Sequence, residues 1–188
     1  MTNILIIQGH PDPMKTHLCH GIANAYRDAA VVAGHSVEMI VVAEHSVPFL
    51  RSKSEWESPQ QPDFAITGQA AIEKADHIVL IYPLWMGAMP AMLKAWIEQI
   101  FRRAFVFRDD IENWQPSLRG KSARVMITTG KPGTEANPQE VDSTAQNILK
   151  FCGIDPVGWS SFGHVNDPTG KAQDAALGEA RDLGTKAD

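Results

Sequence analysis

The chain has 188 residues, enough for one domain with a full core and short for two. Apolar residues make up 44% and charged residues 21%, a balance that excludes a disordered chain. A net charge of -5 with no concentrated basic face excludes a polyanionic partner, so no nucleic-acid binding is expected. Cys19 and Cys152 lie far apart, each beside apolar residues, and read as reduced, buried thiols of a cytoplasmic protein rather than a disulfide framework. No N-terminal leader pattern is present, and no apolar run approaches the ~20 residues that cross a bilayer, so no direct membrane insertion is expected.

In chain order, Asn3 to Gln8 is a continuous apolar run that suits a strand covered on both faces. From His17 to Ala33 the apolar positions Leu18, Ile22, Ala25, Tyr26, Ala29 and Val32 recur at helical spacing, and Gly34 supplies the stop. Val37 to Val42 is a second strand. Glu44 to Pro62 follows as a loop too long to be a simple connection. Phe64 to Ala75 is helical, His77 to Tyr82 a third strand, Ala91 to Arg103 a helix, and Val125 to Thr129 a fourth strand. Pro138 to Cys152 is a helix ended by Gly153, and Pro156 to Phe162 the last strand. The tail from 166 to 188 is rich in Ala, Gly, Asp and Lys and suggests a short amphipathic helix that frays, outside a domain spanning 1–165.

Strands that alternate with helices predict an α/β fold with a parallel sheet wound on both faces. Five strands suit the flavodoxin-like order 2-1-3-4-5. In such sheets ligands bind beyond the carboxyl ends of the strands where strand order reverses, which brings the loops after strands one, three and four to one crevice.

The first loop, GHPDPMKTH, enters a helix N-terminus, where free N–H groups and the dipole favour an anion. His10, Lys15, Thr16 and His17 add donors for a phosphate, although His10 and Asp12 would also serve as plain turn residues. Neither a dinucleotide fingerprint nor a P-loop is present. The second loop, Pro83 to Met89, is apolar where loops are normally polar, and offers Leu84, Trp85, Met86 and Gly87 to something flat. Its glycine would let the backbone approach a ligand. Thr128, Thr129, Gly130 and Lys131 of the third loop present hydroxyls, N–H groups and a cation that suit a carbonyl-rich ring edge.

Together GHPDP, YPLWMGAMPAMLKAWIEQIF, ITTGKPG and FCGIDPVGWSSFGH resemble the NAD(P)H:quinone reductase family of flavodoxin-like flavoproteins, over roughly Asn3 to His164. The resemblance implies bound FMN, with FAD the alternative, that takes a hydride from NADH or NADPH and passes two electrons to a quinone or another small-molecule acceptor. It implies that His10, Thr16, His17 and Leu18 hold the flavin phosphate, that Pro83, Leu84, Trp85, Met86 and Gly87 line one ring face, and that Thr128 to Lys131 meet the pyrimidine edge. Family members carry Ser-Phe-Asn at the helix start, where this chain has Lys15-Thr16-His17 or, with a small insertion, His17-Leu18-Cys19. The tyrosine and histidine that the family's quinone reductases place after the TTG turn are missing from Pro132 to Gln139. His164 is the candidate for the proton donor in their place. A homodimer is also implied, with Ala104 to Pro116, containing Phe105, Phe107 and Trp114, closing the partner's site. Two other roles stand beside enzyme activity: an ancillary subunit of a potassium-efflux antiporter, and a flavin electron carrier without a nicotinamide site.

Overall fold

The computed structural model describes residues 1–108, 115–130 and 143–188. Five parallel strands form the sheet, β1 (Asn3–Gln8), β2 (Ser36–Val41), β3 (His77–Pro83), β4 (Ser122–Thr128) and β5 (Val157–Phe162), in the order β2-β1-β3-β4-β5. A two-residue antiparallel ribbon, Phe107–Arg108 with Gln115–Pro116, lies outside it. The strands form because alternate side chains find apolar cover on both faces. Ile4, Ile6, Val79, Ile81 and Met126 pack beneath α1 (Leu18–Val32) through Ile22, Tyr26 and Ala30. Leu5, Ile7, Ile78, Leu80, Val125 and Ile127 face the other way, toward α4 (Ala91–Ile100) and its Leu93, Trp96 and Ile100. Tight approach of α4 to the end of β1 needs Gly9, where a Cβ would fall 2.6 Å from Leu93 Cδ2.

The predicted strands and helices are present, with ends shifted by a few residues. The long loop after β2 is not bare. It holds a 3-10 turn (Val42–Glu44) and a short helix, α2 (Lys53–Glu57), whose Ser52 cap accepts the Glu55 N–H at 3.1 Å. Trp56 Nε1 donates to the Phe101 carbonyl at 3.0 Å, and buried Arg102 donates to the Glu55 carbonyl and to Gln99, so this loop is pinned to the end of α4. Helix α3 (Asp63–Lys74) follows, and α5 (Arg103–Val106) is a single turn after α4. Of the helix predicted over Pro138 to Cys152, α6 (Thr144–Phe151) is described; residues 138–142 and Trp114 lie outside the described residues.

The tail departs from the sequence expectation. Instead of a short helix that frays, Lys171–Lys186 forms a helix of 16 residues, α7, docked along α1. Ala176, Ala180 and Gly184 recur every fourth residue and make its buried stripe. A composition that reads as weakly amphipathic is a close-packing surface, because small side chains let two helix backbones meet. Gly184 rests on the Tyr26 carbonyl, and any Cβ there would overlap it.

Candidate functional site

Three backbone hydrogen bonds carry the sheet past its formal strand ends and fix the loops that follow. Gly9 donates to the Ile81 carbonyl at 2.7 Å, Leu84 to Thr128 at 2.8 Å and Thr129 to Phe162 at 2.9 Å. Strands β1 and β3 pair side by side, so the chain leaves them at the reversal point of strand order.

After β1 the chain wraps around Asp12. Its carboxylate accepts the Met14 N–H at 2.9 Å and His17 Nε2 at 2.9 Å, and its carbonyl accepts His20 Nε2 at 3.0 Å. The Met14 N–H first, and then His17, hold the Asp12 carboxyl below its ordinary value. His10 is 7% exposed, and its Nδ1 accepts the Asp12 N–H at 3.1 Å. With Nδ1 accepting, the neutral ring carries its proton on Nε2, which has no protein partner among the described residues; His10 lines the cleft described below. Burial and, after it, the neighbouring His17 lower the His10 pKa. The His10 and His17 rings stack with centroids 4.0 Å apart and planes 17° from parallel. His17 is the N-cap of α1 without a side-chain capping bond, and the first turn holds no acid, so the leading N–H groups at Leu18 and Cys19 are left for a ligand. The structure thus puts His17-Leu18-Cys19, rather than Lys15-Thr16-His17, at the helix start.

After β3, Trp85 and Ala88 exchange backbone hydrogen bonds of 2.9 and 3.0 Å across Met86 (φ 53°) and Gly87 (φ 81°). Two positive φ values in a two-residue hairpin define a type I′ turn. That turn is a sufficient reason for Gly87, since a Cβ there would meet nothing within 4 Å. Trp85 is half exposed and edge-on to His10 at 5.9 Å, while Met86 is fully exposed at the tip. Leu84 packs on the core instead.

After β4, Thr128 and Thr129 are buried, with Thr128 Oγ1 3.2 Å from Cys19 Sγ. Gly130 is exposed, and Lys131 lies outside the described residues. His164 (φ 55°) is exposed, in a turn closed by the Asp167 N–H donating to its carbonyl at 2.8 Å.

These loops enclose a cleft of about 260 Å³, lined by His10, Thr16, His17, Leu18 and Cys19 on one side and Pro83, Trp85, Thr128, Val165 and Asn166 on the other. Seven predicted residues therefore meet in one place, and Leu84, Met86, Gly87, Thr129, Gly130 and His164 stand outside its wall. Cys19, Val165 and Asn166 are additions. The signal for the last two is positional, since the loop after β5 borders the one after β4. An apolar cavity of about 460 Å³ beside Trp56, Ile97, Phe101 and Phe151 is lined by no sheet strand and none of the three loops. Among the described residues no cluster of His, Cys, Asp or Glu could hold a metal ion, and no helix is long and apolar enough to cross a membrane.

A parallel sheet of this order with a polar cleft at its reversal point defines a doubly wound ligand-binding protein of the flavodoxin-like class. The profile of the Flavodoxin_2 family, described as a flavodoxin-like fold, matches residues 2–183, and the chain belongs to that family. The FMN-dependent NAD(P)H:quinone oxidoreductase 1 of Pseudomonas aeruginosa is 29% identical over 84% of each chain. The glutathione-regulated potassium-efflux system ancillary protein KefF of an Enterobacter species is 30% identical over 80% of this chain and 77% of its own. Among solved structures, an NAD(P)H:quinone oxidoreductase from Methanothermobacter marburgensis superposes with a TM-score of 0.79 at 16% identity, over 99% of this chain and 96% of that one. The sequence resemblance to the quinone reductase family is thereby met.

Proposed function

We propose that the chain is an FMN-dependent NAD(P)H oxidoreductase that delivers two electrons to a quinone or similar small acceptor. The observation that carries this reading is the buried His10 side chain lining a cleft at the open N-terminus of α1. A donor so placed suits a phosphate. The half-exposed Trp85 beside it suits a flat ring.

In this reading His10 Nε2–H, the Thr16 hydroxyl and the N–H groups at Leu18 and Cys19 hold the flavin phosphate, with His17 beside them. Pro83 and Trp85 bear on the ring, Leu84, Met86 and Gly87 shape the hairpin, and Thr128, Thr129, Gly130 and Lys131 serve the pyrimidine edge. When bound, FMN would accept a hydride from NADH or NADPH and return two electrons to the acceptor. A cleft of about 260 Å³ is below the usual size for a whole cofactor, so in this reading the ring end lies open to alternating donor and acceptor. The name of the Pseudomonas relative supports the same cofactor, donor and acceptor. His164, exposed beyond β5, is the proposed proton donor in the second half-reaction.

Purified protein given FMN should show oxidised-flavin absorbance, bleach with NADH or NADPH without oxygen, and recover colour on adding a quinone. Failure to bind either FMN or FAD ends this reading. A cytoplasmic homodimer is part of the proposal, tested by light scattering and fractionation.

The KefF relative supports a second reading, an ancillary subunit of a potassium-efflux transporter. Co-purification of a membrane transporter with the tagged chain would favour it; recovery of the chain alone from detergent extracts would count against it.

A further inference from the structure

One residue ties together the loop and the helix start at the phosphate end. The Asp12 backbone N–H donates to His10 Nδ1 at 3.1 Å, and its carbonyl accepts His20 Nε2 at 3.0 Å. Its carboxylate accepts the Met14 N–H at 2.9 Å through one oxygen and His17 Nε2 at 2.9 Å through the other. Carbonyls and carboxylates only accept, so His17 and His20 both carry a proton on Nε2. Three imidazoles thus converge on a residue that forms no part of the cleft wall, while two of them, His10 and His17, belong to that wall.

The consequence falls on the start of α1. His17 stands at its N-cap, where a side chain ordinarily turns back to accept a leading N–H group. Here it makes no such bond: its Nε2 is engaged by the Asp12 carboxylate, and its ring is stacked on His10 with centroids 4.0 Å apart. The first turn holds no acid, so neither the cap nor that turn supplies an acceptor to the leading N–H groups. An acid just ahead of the helix would be the other natural cap, yet Asp12 bonds elsewhere through both oxygens.

We propose that Asp12 is a positioning residue for the flavin phosphate: by engaging His17 it keeps the N-terminus of α1 uncapped, and by holding three imidazoles it fixes the wall that the phosphate meets. This rests on the flavin reading above. Asp12 acts through the rings and not by contact, since a carboxylate repels a phosphate dianion. Both members of the Asp12–His17 pair are partly exposed, so the pair adds little to stability and its effect is on placement.

Side-chain variants separate the carboxylate from the backbone. Asp12→Ala removes the bonds to Met14 and His17 and leaves those to His10 and His20; Asp12→Asn keeps an acceptor for the Met14 N–H and a polar partner for His17. Fluorescence titration compares FMN and riboflavin dissociation constants across wild type and both variants. With Asp12→Ala, FMN affinity should fall about tenfold, the low end of what one hydrogen bond to a charged group contributes. Riboflavin, which has the ring and no phosphate, should bind as it does to wild type, and Asp12→Asn should recover most of the loss for FMN. Thermal midpoints of both variants should stay close to wild type. In the ligand-free protein at mildly alkaline pH, imidazole nitrogen shifts should show the Nε2–H form at His17 and His20; Asp12→Ala should abolish the single form at His17 and spare that at His20. FMN binding by Asp12→Ala as tight as wild type or tighter, or equal losses for FMN and riboflavin, overturns the positioning role and leaves the flavin reading standing. Absence of flavin binding by the wild type overturns both.

Discussion

Cys19 Sγ lies 3.2 Å from Thr128 Oγ1, joining the first turn of α1 to the end of β4 across the floor of the cleft. The thiol is a packing group with a polar contact and no reactivity. Burial pushes both Cys19 and Cys152 up to about 12, so the thiolate is scarce at neutral pH. Neither cysteine should react with a disulfide reagent in the native protein, and both should react in denaturant. Fast labelling of a cysteine under native conditions would contradict the described packing.

Replacing Trp85 with alanine should leave the fold intact, because the ring is half exposed, and should weaken flavin binding about tenfold through loss of its aromatic contact. Circular dichroism and flavin titration measure the two effects separately. Unchanged flavin affinity would remove Trp85 from the site.

Gly87 separates two explanations of one residue. The sequence suggests a glycine that lets backbone approach a ligand, while the structure shows a type I′ turn at φ 81°. Gly87→Leu should cost roughly 1–2 kcal/mol in left-handed strain and lower flavin affinity by distorting the hairpin. Gly87→Asn, which tolerates that conformation, should bind flavin nearly as wild type does. If asparagine and leucine weaken binding equally, close approach is the true requirement.

Much of the site was legible because its position follows from strand order, and order follows from alternation of strand and helix. His10, Pro83, Trp85 and Thr128 all stand at or just beyond strand ends and were placed by that rule alone. The hairpin was not legible, since Met86 adopts a backbone conformation that its side chain disfavours and Gly87 alone was read as room for a ligand rather than as half of a turn. Asp12 as the hub of three histidines was also hidden, because hydrogen bonds between residues five and eight apart leave no periodic trace. The tail was misread for a further reason: Ala and Gly lower hydrophobicity, and their value here lies in what they allow to come close.

Two glycines of α7 should respond oppositely to alanine. At Gly178 a Cβ meets nothing within 4 Å, and removing a helix-interior glycine should stabilise by about 0.5–1 kcal/mol. At Gly184 the added carbon would overlap the Tyr26 carbonyl, so α7 must lift and the loss should reach ~3 kcal/mol. Urea melts of both variants check the sign at each position.

His77, at the opposite end of the sheet from the cleft, should govern part of the acid sensitivity. Burial pushes its pKa down to about 4, while Nδ1 bonds Ser122 Oγ at 2.7 Å and Nε2 has no partner among the described residues. In the unfolded chain the ring titrates near ~6.5, so between pH ~6.5 and ~4 the unfolded state binds more protons. The contribution, roughly 3 kcal/mol, is present above pH ~6.5 and is lost as pH falls toward about 4. His77→Asn keeps an acceptor for Ser122 and should flatten the stability profile over that window. An unaltered slope would assign acid sensitivity elsewhere.

The last helix does not reach the cleft, yet it bears on the one that does. Helix α1 is clamped between the sheet and α7, and Tyr26, where Gly184 touches it, lies two turns along from the N–H groups of Leu18 and Cys19. Seating the tail one step differently would tilt α1 as a lever tilts on its fulcrum, moving the N–H groups of Leu18 and Cys19 relative to Thr128. The shape of the cleft is therefore set in part from a surface that forms none of its wall.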